Sequence, residues 1–344
     1  MTTPTSPSPT SPSSRLHEPL VGPGPTLGDS DTDWQGPALW FDYREAANPI
    51  RHGLTEPIAL RQWGPELHAS GPTAILPLDL SDKLGCPGPA TSPGLAAHFL
   101  RILAGDCLEA PACASSSLFA VLAGRGKLER AGHGDSQPLA LTWGAGDVFA
   151  LPAGDAPLLQ ASADSVLYWV HDGPLLRYLG VEPSLPRFRP CLYRAADLER
   201  RLLALLADPS AAKANRLSLL LANADLPASR TVTHTLWAMQ GIVPAGAVQA
   251  PHRHQSVALD LILDCDPGCY TLVGSELDSS GEIHNPQRID WQSGGAFITP
   301  PGLWHAHVNT SGRRARLLPI QDAGLHTYLR SLDIRFTGGS GSQE

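Results

Sequence analysis

Along two stretches of this chain, Thr73 to Gly180 and Thr231 to Phe336, apolar residues come in short runs broken by glycine and proline. The first stretch offers TAILPLDL, SLFAVLAG, PLALTW, DVFALP and SVLYWV. The second offers TVTHTLWAMQGIV, VALDLILD, CYTLVG, AFITP, AHVN and ARLLPIQD. Runs of roughly four to eight residues with turn residues between them have the texture of strands. The 33 glycines and 33 prolines among 344 residues favour many turns and short strands over long helices. The chain is therefore expected to be all-β over most of its length.

The two stretches share more than texture. With Pro111 set on Pro251, APACASSSLFAVLAG lies over APHRHQSVALDLILD, and with Pro152 set on Pro300, PAGDAP lies over PPGLWH. This weak repeat suggests duplication of one all-β domain. Between the two lies AADLERRLLALLADP, Ala195 to Pro209, with leucines at helical spacing, acids early and a proline at its end. It reads as an amphipathic packing helix between two β units. The expected organisation is a disordered Pro/Ser/Thr-rich start over 1–30, a first β unit over 65–180, a helical linker over 181–230, a second β unit over 231–336, and a flexible tail over 337–344.

Composition narrows the partners. A net charge of −8 argues against non-specific binding to nucleic acid or to an acidic membrane. No apolar run is long enough to span a bilayer, and MTTPTSPSPTSPSSR lacks a signal-peptide apolar stretch. A cytoplasmic protein is the expectation. The six cysteines match no zinc framework and read as reduced thiols; Cys265 and Cys269 are the pair spaced to bridge or to share a metal.

Chemistry concentrates in the histidines. His252 and His254 alternate, as do His305 and His307. In a strand, alternate side chains share a face, so each pair projects together. Two such strands side by side bring up to four imidazoles to one place. Imidazole suits Fe, Zn, Cu and Ni, whereas Mg and Ca prefer oxygen. A lone H-x-H on an exposed strand means little. Here it stands in a wider frame: Gly246-x5-His252-x-His254, then Pro300-x-Gly302-x-x-His305-x3-Asn309.

That frame resembles the two motifs of the cupin family. The resemblance implies two double-stranded β-helix barrels joined by the helical linker, with His252, His254 and His305 as metal ligands. The family's usual glutamate is absent, its place falling at Ala258, which leaves a three-histidine face with open positions. The stretch THTLWAMQGIVPAGAVQAPHRHQSVAL is similar to the metal-bearing domain of gentisate 1,2-dioxygenases and their salicylate and hydroxynaphthoate relatives. Those bicupins hold Fe(II) by three histidines and cleave an aromatic ring with O₂. The close match covers roughly a hundred residues. By this resemblance His307 is a substrate-side catalytic residue rather than a ligand. Its ordinary reading is a barrel-lining histidine bonded to a carbonyl.

Three departures shape the expectation. Ring-cleaving relatives usually read H-R-H-x-x-x-A-L-R, with the arginine on a substrate carboxylate; here that place holds Asp260. Its parity matches His252 and His254, and it would repel a carboxylate and favour a hydroxyl donor or a cation. Secondly, the metal domain comes first in those relatives and second here. The first unit has Ala112, Ala114 and Pro157 at the aligned ligand places and is expected to be a structural or dimerising barrel without metal. Thirdly, the ending LPIQDAGLHTYLRSLDIRF differs from theirs; its Asp322, His326, Tyr328 and Arg330 read as packing and surface residues. Gln240 is a candidate hydrogen-bonding partner of a metal-bound ligand, and Trp237 and Trp304 are candidate walls for an aromatic substrate. His133, His171, His234 and His284 read as surface or loop residues.

The leading expectation is an Fe(II) oxygenase acting on a small chelating aromatic or hydroxylated substrate with O₂, assembled as a homo-oligomer. A Zn, Ni or Mn site on the same histidines could instead serve Lewis-acid isomerase, lyase or hydrolase chemistry. A non-catalytic ligand- or metal-binding barrel is the third reading.

Overall fold

The computed structural model describes residues 38–50, 53, 55–132, 138–210 and 217–337. The 1–30 segment, His133 and all of the tail beyond Thr337 lie outside the described residues. By contact the chain divides into Met1–Pro57 and Ile58–Glu344. Among the described residues of the first is a helical turn, Tyr43–Ala46, opened by Asp42, whose carboxylate accepts from Arg44 N at 2.9 Å. The second contains both β units.

The first β unit is an eight-stranded sheet centred on the antiparallel pair Ser116–Arg130 and Leu158–His171. Ala96–Ile102 and Ala74–Pro77 extend it on one side, Val148–Pro152 and Cys191–Tyr193 on the other. Cys107–Glu109 and Leu139–Gly144 pair further along the two long strands. Those central strands run 15 and 14 residues and must bend. Their register shifts around Gly124. Gly124 has φ +84°, and a Cβ there would stand 2.5 Å from the Asp164 carbonyl oxygen, so this bulge requires glycine.

The second β unit has two sheets. One runs in the order Gln62–Trp63, Ala296–Thr299, Ala258–Asp264, Ala315–Gln321, Trp237–Val243, Leu217–Leu221. The other runs Gln287–Asp290, Cys269–Gly274, Trp304–Asn309, His252–His254, Ile334–Phe336. The repeat seen in the sequence has its counterpart here. Ser116–Arg130 sits between Val148–Pro152 and Leu158–His171 as Ala258–Asp264 sits between Ala296–Thr299 and Ala315–Gln321. In each unit the last of these strands leads through an aspartate, Asp172 or Asp322, into a seven-residue helix, Gly173–Leu179 or Ala323–Leu329.

Alternation along the strands sorts the apolar residues into three cores. Leu100, Phe119, Phe149, Leu167 and Trp169 belong to the first unit. Val243, Ile262, Phe297 and Leu317 belong to the second. A shared core joins the two, with Phe99, Leu118, Tyr168 and Val170 meeting Leu259, Leu261, Ile298 and Ile320. Strands buried on both faces read as the continuous apolar runs of the sequence. Burial raises the Tyr168 hydroxyl pKa far above its ordinary value, and the Asp260 carboxylate pushes the same way.

The organisation differs from the expected one at its joints. Gln62–Trp63 precedes the first unit yet pairs with Ala296 and Phe297 of the second. Within 181–230, helix covers Ala195–Ala207, with Leu198 and Leu202 buried. The strands on either side belong to different sheets: Cys191–Tyr193 to the first unit, Leu217–Leu221 to the second. All six cysteines are free thiols. Among the described residues no helix is long and apolar enough to cross a membrane.

Candidate metal centre

His252 and His254 occupy a three-residue strand, and its neighbour Trp304–Asn309 carries His305 and His307. The two strands are antiparallel, with His252 and His305 as Cα partners. Gly302, in the turn before His305, donates its N–H to the His254 carbonyl at 2.7 Å, which ties the turn to the first histidine strand. Asn309 fixes the other end, its amide donating to Val243 O at 2.9 Å and Arg313 O at 2.8 Å.

The result is convergence. One ligand atom each from His252, His254 and His305 falls within 4.8 Å of the others, and all three residues are buried. Ring centroids lie 4.0 Å apart for His252 and His305, and 4.9 Å for His254 and His305. Among the described residues this is the one group of three or more such side chains so placed.

The flanking hydrogen bonds set which nitrogen faces inward. His254 Nδ1 is 2.8 Å from Ser256 O, and His305 Nδ1 is 3.0 Å from Leu303 O. A carbonyl oxygen only accepts, so each Nδ1 carries the proton and each Nε2 keeps its lone pair. Ser256 Oγ lies 3.0 Å from the same Nδ1 and donates to Gln321 Oε1 at 2.9 Å. Three converging imidazoles, two of them locked in the ligating tautomer, form a donor set that fits a divalent transition metal.

His307 is buried beside them, its ring centroid 6.0 Å from that of His252 and 5.9 Å from that of His305. Its Nδ1 is 2.9 Å from Thr271 Oγ1, which accepts from Trp291 Nε1 at 2.8 Å. Asp260 is also buried, on the barrel-interior face with Ile262, and Thr299 Oγ1 donates to its Oδ2 at 2.6 Å.

Two other site candidates fall elsewhere. Trp304 is adjacent to His305 and therefore projects from the opposite face of the strand, where the Arg253 guanidinium lies 5.1 Å from its ring centroid. Gln240 is buried, but it alternates with Met239 and shares the face of Ala238, which belongs to the shared core. The residues of that strand beside the histidines are Trp237 and Met239. They line a cavity of about 250 Å³ with His252, His254, Gln321, Ser218, Leu220, Ile334 and Phe336. Phe336 stacks on His252 at 5.7 Å between centroids.

Among the described residues the first unit has no equivalent. Ala112 and Ala114 offer no ligand atom, and the hollow of about 660 Å³ at Ala112 is lined by Cys113, Arg130 and Arg177. His171, expected in a loop or at the surface, is buried and stacked on His98, because strand parity places it on the inner face with Trp169. Burial pushes the His98 imidazole down to about 4 against the pull of Asp79, and holds His171 well below the ordinary range. His234 is half-buried, with Nε2 3.0 Å from Ser115 Oγ, whereas His284 is exposed as expected.

Solved structures share this architecture. Salicylate 1,2-dioxygenase from Pseudaminobacter salicylatoxidans matches with a TM-score of 0.62 over 82% of this chain and 89% of that one, at 14% identity. A variant of the salicylate 1,2-dioxygenase in complex with gentisate matches at 0.64 over 87% and 92%, at 13% identity. The chain has the bicupin fold. Procruciferin, an 11S globulin from Brassica napus, matches the bicupin at 0.52 over 82% of this chain and 87% of its own, at 14% identity. In sequence, gentisate 1,2 dioxygenase 1 from Aquipseudomonas alcaligenes is 32% identical to the bicupin over 104 residues, or 30% of this chain. The chain spans about a quarter of that curated relative, 26% of its length. No family model matches.

Proposed function

We propose that this bicupin is a mononuclear non-haem Fe(II) oxygenase of the ring-cleaving type, taking O₂ and a small aromatic that chelates the metal. The observation that carries the reading is the buried group His252, His254 and His305, with ligand atoms within 4.8 Å and no carboxylate among them. Sequence likeness over 104 residues to a gentisate dioxygenase points the same way. Bound there, Fe(II) would supply the point of chelation and the redox partner for O₂.

The rest falls to the protein. His254 and His305 are held in register by Ser256 O and Leu303 O. Thr271 Oγ1 accepts the Trp291 N–H and has one proton to give. Given to His307 Nδ1, it leaves Nε2–H as the donor and a proton-exchange site for a substrate hydroxyl. Asp260, poised by Thr299, is the interior acceptor for a second hydroxyl. The cavity lining confines the ring, which holds reactants in one geometry. The first β unit serves as a structural barrel that packs, through Leu259 and Leu261, against the sheet of the second unit that does not carry the histidines.

The test is oxygen uptake by protein loaded anaerobically with Fe(II), against catechols, hydroxybenzoates and aminophenols. Substrate-dependent uptake with a ring-opened product supports the reading. Metal binding with no uptake across the panel overturns it in favour of Lewis-acid chemistry or ligand binding.

A further inference from the structure

The cavity at His252 and His254 says what the far edge of its occupant can be. A dry cavity of about 150 Å³ holds benzene, so about 250 Å³ suits one six-membered ring with small substituents. Leu220, Trp237, Met239, Ile334 and Phe336 make most of its lining. Gln321 is the polar exception of note. Its Oε1 is engaged by the Ser256 hydroxyl, so its amide offers N–H groups to the cavity.

Charge is distributed one way. Among the described residues, no lysine or arginine is buried in the second β unit, and its most buried acid is Asp260. The arginines on the two neighbouring strands, Arg253 and Arg335, are Cα partners of each other, one register step from His252 and Phe336. They therefore face away from the cavity, Arg253 over the Trp304 ring and Arg335 paired with Asp333 at 2.7 Å.

We propose that the substrate, within the oxygenase reading on which this rests, is a single-ring chelator whose far edge is uncharged and apolar. It belongs to the catechol or aminophenol class, bearing hydrogen or a small alkyl group at that edge. A carboxylate placed there would lie against apolar side chains, lose part of its hydration and meet no cation in the lining. The Gln321 amide instead reaches a neutral oxygen or nitrogen of the ring.

The experiment compares 4-methylcatechol with 3,4-dihydroxybenzoate, which present the same two hydroxyls and differ at the far edge. Each is titrated under argon into the full chain loaded with Fe(II), and binding is read from tryptophan fluorescence, to which Trp237 in the cavity wall contributes. The methyl compound is expected to bind at least ten-fold tighter. Leu220→Lys, at a position 39% exposed and so tolerant of charge, is expected to shift the ratio at least ten-fold toward the benzoate with metal content unchanged. Equal or tighter binding of the benzoate by the wild type, no response to either compound, or an unchanged ratio in Leu220→Lys would overturn the proposal. No oxygen enters the assay. A ten-fold preference without oxygen uptake in a separate electrode experiment would sink the oxygenase reading and leave the cavity's selectivity standing. Uptake with carboxylated rings alone would do the reverse.

Discussion

His252 and His305 face each other across an antiparallel strand pair with their imidazole centroids 4.0 Å apart. On the proposed reading, a shared cation is what would make so close an approach of two imidazoles favourable. Binding to the folded chain alone then stabilises it by mass action. At free metal about 100 times the Kd, the gain is about 2.7 kcal/mol. Thermal melts of metal-loaded and chelator-treated protein are expected to differ by several degrees, and His305→Ala is expected to show no difference between the two.

Ser256 links a ligand to the cavity through His254 Nδ1 and Gln321 Oε1. Ser256→Ala keeps the backbone carbonyl that accepts from His254 but leaves Gln321 Oε1 without this donor. Loss of the hydroxyl beside His254 Nδ1 is expected to lower metal affinity by about 10-fold, and the unpaired Gln321 oxygen to cost about 1 kcal/mol of stability. A competition titration against a chelator of known affinity measures the first, and urea unfolding the second.

Thr271 bridges Trp291 and His307. Thr271→Val keeps the shape, strands the buried Trp291 N–H at a cost of about 1–3 kcal/mol, and frees the tautomer of His307. Turnover is expected to fall at least ten-fold while metal content stays at the wild-type level. Thr271→Ser is expected to restore most of it. Loss of metal in Thr271→Val would place His307 among the ligands instead.

Asp322 sits at the start of the last helix, where burial pushes its carboxyl up to about 7 against the pull of the Val257 N–H. His326 Nε2 is 3.9 Å away, and burial lowers its own pKa, so it remains neutral near pH 7. The folded pKa is raised, so as pH climbs from about 4 to 7 the unfolded chain loses this proton first. Stability therefore falls across that window, by at most about 4 kcal/mol. The side chain is 21% exposed, which reduces that ceiling. Asp322→Asn is expected to match the wild type near pH 4 and to be more stable than it near pH 7. Melting temperatures at the two pH values decide it; equal slopes would contradict the assignment.

The histidines were legible in the sequence because a strand's period of two writes shared faces directly into residue spacing. Glycine and proline marked the strand ends, and the repeat followed from aligned prolines; that Asp172 and Asp322 close the two units came only with the structure. What was not legible depends on pairing register. Thr271 meets His307, and Phe336 meets His252, as cross-strand partners tens of residues away; nothing local in HVN or DIRF announces it. Gln240 and Trp304 show the cost of a single step. Each is adjacent to a residue that faces the centre, Met239 and His305, and so each points away. The strand Gln62–Trp63 escaped for a related reason, since its two residues carry no periodicity and its partner lies over two hundred positions downstream.

On the proposed reading His252, His254 and His305 hold a metal. The most direct measurement is elemental analysis of the full chain purified without added metal, beside a His252→Ala/His254→Ala variant whose circular dichroism matches the wild type. About one iron or other transition-metal ion per chain is expected in the wild type and close to none in the variant. Equal metal in both, or none in the wild type even after anaerobic Fe(II) loading, would contradict it.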